Sequence, residues 1–194
     1  MNHQLLEERA QVIIDLIRTT SPTYFHPETN EGQKGLYETL AGAGLWYLPG
    51  GLELYSGYIS QEALECVEKK PTETKLVEEH SFPRKVGGRY LYEQYREKGE
   101  AFTKEYFLEL YKSKLGKYNL VLKKENDRLK KFQKIKKGTN REEFLEVVDK
   151  IEKRSYDFAG IRLQNFAPDK YAEFKKMKSK AKKKKQIEPN EQSN

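Results

Sequence analysis

The chain has 194 residues, of which 36% are hydrophobic and 35% charged, enough apolar material for one modest core. No apolar run approaches the ~20 residues of a membrane span, and the opening MNHQLLEERAQ lacks the basic and apolar regions of a secretory signal, so a cytoplasmic protein with no membrane partner is expected. The net charge of +7 is lopsided: residues 1–79 carry 6 Lys/Arg against 13 Asp/Glu, and residues 80–194 carry 31 against 17, which points to a polyanion partner on the back half.

In chain order, Leu5, Leu6, Val12, Ile13, Leu16 and Ile17 fall at helical spacing and predict an amphipathic helix over 4–18. SPTYFHPETNEGQKG is rich in turn formers and reads as a loop, followed by a short helix near Gly35–Ala43. LWYLPGGLELYSGYIS predicts short strands around the Pro49-Gly50-Gly51 turn. Ser60 is placed to cap a helix through about Glu68. The single cysteine, Cys66, reads as a core-facing position of that helix and excludes an internal disulfide or a cysteine-rich zinc cluster.

TKLVEE (74–79) predicts a strand running into His80, RYLYEQYREKGEAFTKEYFLELYKSKLG two helices broken near Gly99, and NLVL (119–122) a second strand. KKENDRLKKFQKIKK reads as a basic helix stopped by Gly138. Thr139 with Glu142, and Asn140 with Glu143, have capping-box spacing before the next helix. Pro168 suits the first turn of a last helix, in which eight of the 11 residues from 175 to 185 are lysine. QIEPNEQSN is expected to be disordered.

Glu79-His80-Ser81-Phe82-Pro83-Arg84-Lys85-Val86-Gly87-Gly88 has the form acid-His-x-x-Pro-x-x-x-Gly-Gly, with Asn119 opening the next strand and Asn126 in the helix after it. Residues 74–132 thereby resemble the HNH, or ββα-metal, nuclease family. The resemblance implies that a strand delivers the acid–His pair, that Pro and Gly-Gly shape a turn, and that a second strand and a helix complete the site. Roughly thirty residues between Gly88 and Asn119 then form a helical insertion. Fold and organisation follow: a mainly helical α+β protein with the ββα-metal motif embedded in flanking helices, divided into 1–70 (helices and short strands), 71–138 (the catalytic region) and 139–194 (C-terminal helices and basic tail).

The resemblance also implies roles. His80 takes a proton from water, as an imidazole with an ordinary pKa of about 6.5 can near pH 7. Glu79 and Asn126 supply oxygen ligands to one Mg²⁺ or Mn²⁺, with Asp127 or Glu125 as replacements for Asn126. A backbone carbonyl or amide oxygen at Asn119 fixes one nitrogen of His80. Arg84, Lys85 and Arg89 beside the site, and Lys123, Lys124, Arg128, Lys130 and Lys131 on the basic helix, are placed to hold phosphates, and the lysine tail to attract the backbone without regard to sequence. The implied protein is a DNA endonuclease, with a sequence-specific restriction enzyme as the narrower expectation and a homodimer if the target is palindromic. A non-catalytic nucleic-acid-binding protein and a ribosome-associated protein with a lysine tail are the rival readings.

The other histidines carry less: His3 lies at a fraying terminus, and His26 before Pro27 reads as a loop residue. Gly44-Leu45-Trp46 followed by Tyr58-Ile59-Ser60 has the spacing of a GIY-YIG nuclease, but no arginine lies between Tyr58 and Arg84 to serve it. Most of the 13 tyrosines are expected in the core.

Overall fold

Leu6, Ala10, Ile13, Ile14 and Ile17 recur every three or four residues, and all are buried in the computed structural model, which describes residues 2–132 and 139–187. This stripe seats α1 (His3–Tyr24) on the core. The helix outruns its expected end and continues through Pro22, because buried Tyr24 stacks on Tyr92 with ring centroids 4.1 Å apart and holds the last turn. The expected loop therefore shrinks to 25–30. Asn30 and Gln33 form a capping box that starts α2 (Glu31–Gly44) earlier than hydrophobic spacing indicated.

Residues 45–47 and 52–54 form tight single turns rather than a strand, so the expected strand pair reduces to β1 (Tyr55–Ser60). Gly57 sits in β1 at φ 87°, where a side chain is disfavoured, and the pairing register shifts between Tyr55 and Ile59. The Ser60 hydroxyl accepts from the Ala63 amide at 3.1 Å and caps α3 (Gln61–Lys69), on which Cys66 is half-buried rather than sealed in the core.

β2 (Leu76–His80) ends on His80, as its sequence indicates. The next segment differs from expectation. Gly87-Gly88 makes no turn but lies in the first half of α4 (Arg84–Lys98). A Cβ on Gly88 would stand 1.9 Å from the Glu38 carbonyl oxygen and 2.9 Å from the Gly42 nitrogen, so the missing side chain is what lets the α2 and α4 backbones touch. After α5 (Lys104–Leu110) and a wide turn over 111–115, the chain returns as β3 (Tyr118–Leu122) and passes directly into α6 (Lys123–Phe132). Residues 133–138, where the basic helix was expected to continue, lie outside the described residues. Asn140 and Glu143 close the expected capping box on α7 (Arg141–Phe158). β4 (Leu163–Asn165) is too short to show alternation in the sequence, and α8 (Pro168–Ile187) closes the described chain. Residues 188–194 of the expected disordered terminus lie outside the described residues.

The fold is thus mainly helical α+β around one four-stranded sheet of order β2-β3-β1-β4. β2 and β3 are antiparallel, β3 and β1 parallel, β1 and β4 antiparallel. α4 and α5 fill the connection between β2 and β3 and join α1 and α2 in the helical layer. One cluster of buried residues reaches from Leu6 to Phe174, with a small second cluster of Leu129, Ala159 and Ile161 under α6. That continuous burial lets a short sheet with little apolar area of its own hold its place.

Candidate functional site

The β2–β3 register decides which side chains can meet. Glu78 pairs with Leu120, Glu79 with Asn119 and His80 with Tyr118. Successive strand residues point to opposite faces, so Glu78, His80 and Tyr118 share one face of the sheet, and Glu79 and Asn119 the other.

α8 covers the first face. Its buried Tyr171 packs on Tyr55 with ring centroids 5.0 Å apart, and Tyr55 on Tyr118 at 5.6 Å. The Tyr171 hydroxyl and the Lys175 ammonium each donate to Glu78 Oε1 at 2.7 Å. Burial works to raise the Glu78 carboxyl, but these two hydrogen bonds and the charges of Lys175 and His80 outweigh it, holding the carboxyl below its ordinary range. Burial and the Glu78 contact push the Tyr171 phenol well up, so it stays a donor. Beside this group opens a cleft of about 320 Å³, lined by His80, Glu78, Lys175, Tyr118 and the apolar side chains of residues 45–54. Trp46 stands at it with 67% of its surface exposed.

The second face meets α6 and α7. Here the Asn119 amide oxygen accepts from the Ser56 hydroxyl, and its amide nitrogen donates to Ser81 Oγ at 3.2 Å. Asn119 is buried and committed to this network, so its side chain is not brought to His80. The Tyr156 hydroxyl is sealed beside Asn119 and Ser81, without an ordinary hydrogen bond to either. Burial drives its pKa far up, and the nearby Glu79 charge adds to this.

Three neighbours on α6 differ in what they have left to offer a metal ion. Buried Glu125 accepts from the Ser60 hydroxyl at 2.6 Å and the Leu122 amide at 2.8 Å, so its carboxylate fastens the start of α6 to β1 and β3. Exposed Asp127 pairs with Lys130 at 3.1 Å. Asn126 Oδ1 is shut off from solvent and meets no donor among the described residues. No group of three His, Cys, Asp or Glu side chains converges among the described residues. An ion here would therefore need amide oxygens as well, which fits the unsatisfied Asn126 oxygen on the helix that follows β3.

The basic residues separate by role. Arg89 is a strut: its guanidinium lies 4.3 Å over the Phe144 ring and donates to the Thr139 and Asn140 carbonyls at 2.8 and 3.2 Å, with the Glu38 carboxylate 4.0 Å away. With 14% of its side chain exposed, it does not offer the phosphate contact expected of it. Arg84 and Lys85 open α4, and their side chains lie outside the described ones. Lys123, Lys124, Arg128 and Lys130 are exposed on α6. Lys124 and Arg128 approach Glu62 at 3.0 and 3.9 Å, surface pairs worth at most about 1 kcal/mol and easily exchanged for phosphate. On α8, Lys178 donates to the Thr72 and Thr74 carbonyls, while Lys176, Lys180, Lys182 and Lys183 face water.

Glu78, Lys175, Tyr171 and Trp46 were not anticipated at the site. Alternation along LVEEH placed Glu78 with His80, but only tertiary structure brings α8 and the turn at 45–47 to them. Of the GIY-YIG-like spacing, only Tyr58-Ile59-Ser60 lies in a strand, while Gly44-Leu45-Trp46 spans the end of α2 and a tight turn. Among the described residues no helix is long and apolar enough to cross a membrane. Compared with known proteins, the chain matches no family model, no curated protein and no solved structure.

Proposed function

We propose that the protein binds nucleic acid and hydrolyses its phosphodiester bonds as an HNH-type endonuclease, with DNA as the substrate. The observation that supports this reading most is the connectivity of β2, β3 and α6: an antiparallel pair with Glu79 opposite Asn119, followed at once by a helix carrying an unsatisfied amide oxygen. His80, the last residue of β2, presents its imidazole to an open cleft, where it takes the proton of the attacking water as the new P–O bond forms and the bond to the 3′-oxygen breaks. Lys175 and the exposed lysines beyond it draw the backbone to that cleft. Glu79 and Asn126 would hold a divalent ion, which would neutralise charge on the phosphate at His80 only where the substrate reaches past the end of β2 to the α6 face, since His80 lies on the other one.

A second reading, a non-catalytic nucleic-acid-binding protein, is favoured by one observation: His80 faces away from Glu79 and Asn119. Incubation with plasmid DNA in Mg²⁺, in Mn²⁺ and in EDTA separates the two. Cleavage in either metal but not in EDTA supports the endonuclease, with discrete bands indicating a restriction enzyme. Retarded but intact DNA in all three supports the binding protein.

A further inference from the structure

We propose that the outward face of α2 is the surface through which two copies of this chain pair about a two-fold axis. The pairing goes beyond the nucleic-acid reading above and does not depend on it.

Between Gly35 and Leu52 the sequence has one charged residue, Glu38, in a chain where 35% of residues are charged. Glu38 is turned inward, accepting from the Tyr24 hydroxyl at 2.8 Å with Arg89 4.0 Å away, so it puts no charge on the outer side of α2. The helix is therefore apolar on two sides. Ala41 and Gly42 are buried, while Leu36, Thr39, Leu40 and Ala43 are exposed at i, i+3, i+4 and i+7, the spacing of a packed stripe. A helix that is apolar all round is ordinarily covered all round, and no described element covers this side. Outside the described residues the sequence adds Met1, QKIKKG and EPNEQSN, whose only large apolar side chains are Met1 and Ile135, too few to do so.

α1 widens the same face. Arg9 donates to the Tyr47 carbonyl and Ile13 packs against Gly44, which sets the turn carrying Val12 beside the end of α2. Val12, Leu36, Leu40 and Tyr47 each keep 45–70% of their surface exposed. With Thr39 and Ala43 they present on the order of 500 Å², close to the apolar share, about 65%, of the roughly 800 Å² that each partner buries in a standard homodimer.

Charge selects the occupant. Residues 1–79 carry 13 Asp/Glu against 6 Lys/Arg, which repels a polyanion, and an uncharged face offers no ion pairs to a charged partner. A second copy brings a face that is equally uncharged. Antiparallel pairing of two α2 helices about an axis between positions 39 and 40 sets Leu36 against Ala43 and Leu40 against Thr39, large against small each time.

The test is sedimentation equilibrium of the full chain without nucleic acid. The expected mass is twice the 22.8 kDa of one chain at about 10 μM and above. Leu40→Glu and, separately, Thr39→Lys are each expected to weaken pairing at least about tenfold with native melting, because substitutions at exposed positions leave stability nearly unchanged; Thr39→Lys gives the same reading should Leu40→Glu not fold. Mixing Leu40→Glu with Leu40→Lys is expected to restore the dimer, since opposite charges then meet near the axis. Raising salt from about 0.05 to 0.5 M is expected to tighten pairing by screening the two acidic front halves. A chain that stays single up to about 100 μM leaves the face to a different protein and overturns the pairing. Dimers that survive both substitutions, or that fall apart as salt rises, overturn the assignment to this face. None of these outcomes bears on the nucleic-acid reading, which the plasmid digest tests separately.

Discussion

Replacing Gly88 by alanine tests the structure at the point where it departs most from the motif reading. A Cβ there would lie 1.9 Å from the Glu38 carbonyl oxygen, a backbone atom that no rotamer change can move. Carbon–oxygen contacts settle at about 3.3 Å or more, so α2 must retreat by roughly 1.4 Å. The hydrogen bond from the Tyr24 hydroxyl to Glu38, 2.8 Å long, sits on the displaced segment. Overpacking of this kind costs up to about 3 kcal/mol, and at about 2–4 °C per kcal/mol for a chain of this size Tm should fall by roughly 6–12 °C. Gly87→Ala is the control. Its Cβ would meet the Leu45 Cδ1 methyl at 2.9 Å, a flexible side chain that can turn aside, and alanine offsets that cost through its better helix propensity, by up to about 1 kcal/mol. Thermal unfolding followed by circular dichroism at 222 nm compares them. If Gly88→Ala melts with or above the native chain, as helix propensity alone would give, the close packing of α2 on α4 is refuted.

Further consequences concern charge. Changing the four exposed lysines Lys176, Lys180, Lys182 and Lys183 to alanine should reduce the slope of log K against log salt for duplex DNA by about 3–4, read from anisotropy titrations at several salt concentrations; an unchanged slope would remove α8 from the interface. The Glu78 carboxyl is held low in the folded chain, so its stabilisation is present above the ordinary carboxylate range and is lost as pH falls through its folded value. The stability gap between the native chain and Glu78→Gln should therefore be larger at pH 7 than at about pH 3 in urea unfolding. A gap that widens toward acid would contradict the Lys175–Glu78–Tyr171 arrangement.

Much of the fold was legible in the sequence because local signals and tertiary demands agree there. Ser60 and Asn140 cap as their spacing indicates, and LVEEH and NLVL form neighbouring antiparallel strands although two helices separate them. Gly87-Gly88 misled because a glycine pair serves a turn and a close helix crossing equally well, and only the position of α2 distinguishes them. Arg89 misled for a related reason: an arginine near a basic loop looks exposed until Phe144 and the start of α7 close over it. At the candidate site, the motif placed Glu79 and His80 together as an acid–His pair, whereas the strand register puts them on opposite faces and gives the histidine's face to Glu78. β4 and the partnership of Glu78 with α8 were not legible, since three residues show no period and a contact 97 residues away leaves no local mark.

The central claim is that phosphodiester cleavage depends on the imidazole of His80. Its most direct test is the rate of plasmid nicking in Mg²⁺ by His80→Ala beside the native chain, with duplex affinity and the far-ultraviolet spectrum measured on the same preparations. Loss of a general base predicts a rate lower by about 10²–10⁴-fold, with affinity unchanged because it resides in the lysines and with the spectrum of the native fold. A His80→Ala protein that folds normally and nicks at the native rate would contradict the claim, as would a native chain that binds DNA and leaves it intact in every divalent metal.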